Sequence, residues 1–306
     1  MPTGALSRDR LVMAIIGVVG LGAMGGQIAA RLIASGHEVH GTNRTRDRAE
    51  ALIAGGLRWH DTPREVAAAV EVVISMVTDD AALEAVTIGP DGILAGLSAS
   101  TVYVDMSSVS LNASVLLAQQ VRSVGGRMLD APVSGSVPQV EAGTLAIMVG
   151  GDEATFHEVE PVLTQLGRSV TRVGANGAGV LLKLAINISL AVQVLAFSEG
   201  LLLAERGGLD PKLAAEVMSN SPIGSPMLKA RVPLLLDLPH DAWFTIQLMH
   251  KDIRLALAEG QRLAVTLPSA AVAGEVLSRA EELGYGRQDI AGLREVISKI
   301  SHEAAG

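Results

Sequence analysis

The first half of the chain alternates apolar runs of strand length with stretches of helical spacing. Residues 13–19 form an apolar run, 24–35 place apolar residues at helical intervals, and 38–42 are strand-like again. A helical stretch at 46–54 follows, then a helix at 63–69 that leads into a strand at 72–77. A strand at 101–105, a helix at 110–124 and strands at 128–131 and 145–149 continue the alternation. Units of this kind predict a parallel sheet joined by right-handed helical crossovers.

Beyond Gly174 the pattern changes. Residues 180–206 read as one long helix closed by Gly207-Gly208. Residues 211–219, 226–236, 248–261, 270–283 and 289–300 all carry helical spacing, with little strand signal among them. The expected fold is therefore an α/β parallel-sheet domain over 11–175 and an all-α C-terminal domain over 176–306, joined by a long interdomain helix.

Composition narrows the picture. The chain has 306 residues, 49% of them hydrophobic and only 2% aromatic, so its core is built from Ala, Val, Leu and Ile. With no cysteine, disulfides and thiolate metal sites are excluded, no metal is expected, and a cytoplasmic home fits. A net charge of -8 argues against a general nucleic-acid binder. Residues 8–25 have the basic stub and apolar run of a secretory signal, but the same run carries a specific glycine pattern. Residues 180–204 are long enough to span a bilayer, yet hold Lys183, Asn187 and Glu199, which are costly in lipid. A buried interdomain helix, with no membrane partner, is expected there. Residues 1–10 read as a mobile tail.

Gly20-Leu21-Gly22-Ala23-Met24-Gly25 is a G-x-G-x-x-G between an apolar strand and a helix. In that context Gly20 serves the tight turn, Gly22 the approach of a pyrophosphate, and Gly25 close helix–strand packing. The helix N-terminus adds free N–H groups and partial positive charge. The first domain is thus expected to be of Rossmann type and to bind a nicotinamide dinucleotide. At the end of the second strand, where an NAD site places a carboxylate, the chain has Asn43-Arg44-Thr45. Arg44 offers a planar, permanently charged fork to a 2′-phosphate, and Asn43 and Thr45 can add hydrogen bonds. NADP(H) is therefore expected in preference to NAD(H).

Two further patterns point to chemistry. Lys183 and Asn187 are four residues apart and share one face of the long helix, among Leu181, Leu182, Leu184, Ile186 and Ile188. Glycines precede them at 174, 177 and 179. A lysine in such surroundings either snorkels to solvent or serves a reaction. Asp130-Ala131-Pro132-Val133-Ser134-Gly135-Ser136 follows a strand, where parallel-sheet enzymes bind ligands. The N–H groups and hydroxyls of its Ser-Gly-Ser turn suit a carboxylate.

With these motifs on one chain, the sequence resembles the β-hydroxyacid dehydrogenase family over about 13–300. The resemblance rests on I-G-V-V-G-L-G-A-M-G at 16–25, D-A-P-V-S-G-S at 130–136, E-A-G-T-L at 141–145, the glycine–Lys183–Asn187 pattern, and K-D-I-R-L-A-L at 251–257. It implies Lys183 as general acid/base and Asn187 as a substrate-orienting partner. It implies Ser134, Gly135 and Ser136 at the substrate carboxylate and Phe244 as an aromatic in the cleft. Val77, Ser108 and Lys251 fall at family cofactor contacts, Lys251 reaching from the helical domain. A small aldehyde, keto acid or hydroxy acid bearing a carboxylate is the implied substrate, and a homodimer or homotetramer the implied assembly. The chain departs from the family at Ile186, Ser136 and Val140, where a second Asn, a Gly and an Ala are common, which bears on the substrate.

Two other readings share the cofactor domain. One is an imine reductase, a group similar in fold and in its Asn-Arg-Thr-like loop, but commonly carrying Asp or Tyr where this chain has Lys183. An ammonium opposes an iminium by like charge. The other is a non-catalytic NADP(H)-binding module, against which Lys183, Asn187 and the Ser-Gly-Ser turn argue together.

Overall fold

The computed structural model describes residues 13–303; the tail expected at 1–10 lies outside them. The chain divides into two compact units, Met1–Lys183 and Leu184–Gly306.

In the first unit, β1 (Ile15–Val19), β2 (Glu38–Thr42) and β3 (Arg58–Trp59) are followed by β4 (Val72–Ser75), β5 (Val102–Asp105) and β6 (Arg127–Asp130). These six run parallel in the order β3-β2-β1-β4-β5-β6, the Rossmann arrangement, with the switch in direction beside β1. The strands are almost wholly buried apolar runs, as a sheet covered on both faces requires. Helix α1 (Ala23–Ala34) buries Gly25, Ile28, Ala29 and Leu32, an i, i+3, i+4, i+7 stripe. Helix α2 (Glu50–Ala54) is short and is entered through a 3₁₀ turn at Arg46–Ala49, so the helix expected at 46–54 is split. Helix α3 (Pro63–Ala69) starts from Thr62 and Glu65 in a capping box with Pro63 at its first position. It packs so closely on β1 that a Cβ at Gly17 would stand 2.4 Å from Val66 Cγ1.

Two short helices, α4 (Asp80–Thr87) and α5 (Ile93–Gly96), precede β5, and α6 (Leu111–Ser123) precedes β6. The sheet does not stay parallel. After β7 (Val133–Ser134) and α7 (Val137–Ala142), β8 (Leu145–Gly150) pairs antiparallel with both β6 and β7. Helix α8 (Glu153–Leu166) then returns the chain to β9 (Gly167–Gly174), parallel to β8. With β8 running against β6 and β7, this edge of the sheet is mixed.

Helix α9 (Ala178–Arg206) begins in the first unit and runs into the second. It was expected to be buried, yet only 44% of its most apolar stretch is covered within the chain, and Leu181, Leu182 and Leu203 are exposed. The second unit is all-helical: α10 (Pro211–Asn220), α11 (Pro226–Leu236), α12 (Ile246–Arg262), α13 (Pro268–Glu282) and α14 (Leu293–Glu303). Side chains of Asp210, Ser225 and Thr245 cap α10, α11 and α12. Its core includes Val194, Leu201, Ile246, Met249, Ile253, Leu277 and Val296.

Candidate active site

The turn between β1 and α1 is shaped by its glycines. Gly20 has φ +92°, and a Cβ there would lie 2.5 Å from Met76 O. A Cβ on Gly25 would stand 1.9 Å from Gly20 O, so the helix can seat on the strand only without one. Gly22 differs: nothing lies within 4 Å of its Cβ position. Its bare backbone faces open space, as the approach of a pyrophosphate requires. The N-terminus of α1 has no side-chain cap and no acidic residue in its first turn, so its donors and dipole suit an anion. These features fit a dinucleotide at Gly20, Leu21, Gly22, Ala23, Met24 and Gly25.

Asn43 stitches two cofactor loops together. Its Oδ1 accepts from Leu21 N–H at 3.1 Å, and its Nδ2 donates to Thr45 O at 2.9 Å. These two bonds shape the loop and leave one Nδ2 hydrogen of Asn43 for a further contact. Arg44 and Thr45 are exposed beyond β2.

The ends of β4 and β5 carry a buried polar line that the sequence did not disclose. Ser75 and Asp105 are paired in register, and Ser75 Oγ lies 2.6 Å from Asp105 Oδ1 and 2.7 Å from Tyr103 Oη. Asp105 Oδ1 also accepts from Ser107 N–H at 3.2 Å, and Ser107 Oγ accepts from Val77 N–H at 3.0 Å. The hydroxyl that holds the Val77 backbone is therefore that of Ser107, while Ser108 sits half-buried beside it. Burial pushes the Asp105 carboxyl up to about 6, against the bonds from Ser75 and Ser107.

In the Ser134–Ser136 turn, Gly135 has φ +136°, which only glycine adopts without strain. Ser136 N–H donates to Gln139 Oε1 at 2.8 Å. That amide is taken, so the carboxylate expected here is left to the hydroxyls of Ser134 and Ser136 and the Gly135 backbone.

Lys183 lies on α9 with 9% exposure, and Asn187, one turn on, is wholly buried. Asn187 Nδ2 donates to Asp252 Oδ2 on α12, and Lys251 Nζ stands 3.0 Å from Asp252 Oδ1. Asp252 thereby orients the amide and neutralises the lysine beside it. Phe244 is half-buried against the helical core just before α12. Its place is set by Asp289, also wholly buried, which accepts from Trp243 N–H, Phe244 N–H and Ala291 N–H and pairs with Arg231 at 3.1 Å. Burial lowers the Arg231 guanidinium's affinity for its proton, and the Asp289 charge opposes that. In the sequence Asp252 appeared only within the 251–257 motif, with no role of its own, and Asp289 only as the first residue of a helical stretch.

Two family models together cover most of the chain. One, described as the NAD binding domain of 6-phosphogluconate dehydrogenase, matches residues 15–174; the other, described as NAD-binding of NADP-dependent 3-hydroxyisobutyrate dehydrogenase, matches 177–297. The chloroplastic glyoxylate/succinic semialdehyde reductase 2 of Arabidopsis thaliana is 32% identical over 98% of this chain and 84% of its own. The 2-hydroxy-3-oxopropionate reductase of Escherichia coli (strain K12) is 35% identical over 94% of this chain and 98% of its own. The crystal structure of a 3-hydroxyisobutyrate dehydrogenase from Salmonella typhimurium superposes with a TM-score of 0.85 at 26% identity, over 92% of this chain and 99% of that one.

Proposed function

The chain belongs to the β-hydroxyacid dehydrogenase family of NAD(P)-dependent oxidoreductases acting on hydroxy acids, and we propose that it interconverts a short β-hydroxyacid, or a related hydroxy acid, with its semialdehyde or keto acid, using NADP(H) and Lys183. The observation that carries this reading is a nearly buried amine one helical turn from an amide that a buried carboxylate holds in one orientation.

The cofactor, when bound, supplies or accepts the hydride. In the reductive direction, the Lys183 ammonium hydrogen-bonds the substrate's carbonyl oxygen and gives it a proton as negative charge develops there. Asn187 fixes that oxygen beside the amine. The Ser134 and Ser136 hydroxyls hold the carboxylate, which sets the carbonyl at the right distance from Lys183. Aligning the substrate in this way is the larger part of the rate enhancement. In the oxidative direction Lys183 takes the hydroxyl proton back.

The choice of NADP(H) is supported by Arg44 and by the absence of a carboxylate at 42–45. We propose further that the enzyme works as a homodimer or homotetramer; exposed leucines on α9 support this, and light scattering tests it.

The test of the reaction is a panel of glyoxylate, succinic semialdehyde, 2-hydroxy-3-oxopropionate and a cyclic imine, followed by NADPH absorbance. Turnover of one or more of the carboxylate-bearing carbonyls, with little on the imine, is expected. Turnover of the imine alone, or of nothing across a broad panel of short acids, overturns the proposal.

A further inference from the structure

Asp130 ends β6 with its side chain wholly buried, and the first turn of α9 closes around it. Gly177 N–H donates to Asp130 Oδ1 at 2.7 Å, and Val180 N–H donates to Oδ2 at 3.1 Å. Two residues back on the strand, Met128 O accepts from Asn176 Nδ2 at 2.9 Å. The opening of α9 is thus capped by a carboxylate from the sheet, which meets both its orphan donors and the positive end of its dipole.

The glycines before Lys183 exist for this junction. Gly177 has φ +94°. A Cβ on Gly179 would lie 2.4 Å from Met148 O and 2.9 Å from Asp130 Oδ2. On the other side, a Cβ on Gly150, the antiparallel partner of Asp130, would stand 2.5 Å from its carboxylate. Backbone presses on Asp130 from strand and helix alike, so the carboxylate has one place to be. Lys183 lies three residues beyond Val180, and Ser134 lies four residues beyond Asp130.

We infer that Asp130 is a positioning residue for the reaction: it pins the start of α9 to the strand segment that carries the Ser134–Ser136 turn, and so sets the Lys183 amine against the substrate's carboxylate site. The inference rests on Lys183 being the proton donor. Asp130 touches no reacting atom; it acts through the helix. Its contribution is large for a remote group because a misplacement of about 1 Å costs roughly 10²-fold in rate.

The experiment is a double-mutant cycle of Asp130→Asn with Lys183→Ala, each enzyme measured for kcat, substrate KM and NADPH dissociation constant. Asparagine keeps the volume but turns amide hydrogens toward the helix N–H groups and removes the charge. Asp130→Asn is expected to lower kcat by roughly 10- to 100-fold, with NADPH binding within about twofold of wild type. In the Lys183→Ala background it should add little further loss, because both changes act on the same proton transfer. Wild-type kcat in Asp130→Asn, or full additivity of the two losses, overturns the inference. Wild-type turnover in Lys183→Ala overturns the reading of Lys183 itself and this inference with it; a collapse there beside an unaffected Asp130→Asn removes the inference alone. Should Asp130→Asn not fold, Gly179→Ala perturbs the same junction from the helix side and is run through the same cycle, with the same outcomes deciding.

Discussion

The Asn187 amide has only one orientation compatible with its neighbour: Nδ2 toward Asp252 Oδ2, at 2.5 Å. A carboxylate only accepts, so one Nδ2 hydrogen is committed to Asp252 while the second remains to donate, and Oδ1 is buried without a partner among the described residues. Asp252→Ala releases that amide and strips Lys251 of its counter-charge. With the amide no longer held in one orientation, kcat/KM should fall by roughly 10- to 100-fold, which steady-state kinetics reads directly. An unchanged kcat/KM would show that the amide's orientation does not matter.

The two inner glycines of the β1–α1 turn separate folding from binding. Gly22→Ala adds a methyl into open space, so the melting temperature should stay within a few degrees of wild type while the NADPH dissociation constant rises by at least about tenfold. Gly25→Ala drives a methyl into Gly20 O and should lower stability as well, by about 1–3 kcal/mol. Thermal melts and fluorescence titration of the two variants give the comparison. Equal NADPH affinity in Gly22→Ala and wild type would mean that the pyrophosphate lies elsewhere.

What the sequence disclosed and what it hid follow from how local each feature is. β1, the glycine turn and α1 are contiguous, and each residue's role there depends on neighbours a few positions away. The Lys183–Asn187 pair was legible for the same reason, since helical spacing alone puts the two on one face. The expected parallel sheet holds over β1–β6, while β8 runs antiparallel to β6 and β7, a direction that depends on its partners and not on its own apolar run. α8 carries Pro161 in its interior, β7 has only two residues, and β9 is mostly exposed or half-buried, so none shows a clean period. Asp252, Asp289 and Asp130 gain their meaning from partners 65, 58 and 47 residues away.

Cofactor preference should reside in Arg44. Arg44→Glu replaces a fork suited to a phosphate with a charge that repels it and can accept from a ribose hydroxyl. Its kcat/KM with NADPH should fall by roughly 10²-fold, while that with NADH stays level or rises. A wild-type enzyme that prefers NADH, or a variant that still prefers NADPH, would contradict this assignment.

Asp105 makes stability depend on pH in an unusual direction for a carboxyl. Its pKa is 3.8 when exposed and about 6 in the fold, raised chiefly by burial, with the Asp130 charge on the adjacent strand adding. The folded protein therefore holds a proton that the unfolded chain releases. Stability from this group is complete below about pH 4 and is lost as pH rises through about 6, a swing on the order of 3 kcal/mol. Asp105→Asn does not titrate. Urea unfolding of both proteins between about pH 4 and 7 should show the wild type gaining on the variant as pH falls, by up to that amount. A difference independent of pH would contradict the raised value.

The most direct test is single-turnover and steady-state reduction by Lys183→Ala with saturating NADPH and the best carbonyl substrate. A positioned acid contributes about 10²- to 10⁴-fold, so kcat should drop by that factor while NADPH binds as tightly as in wild type. Turnover within a few-fold of wild type would mean that the amine on α9 is not the proton donor.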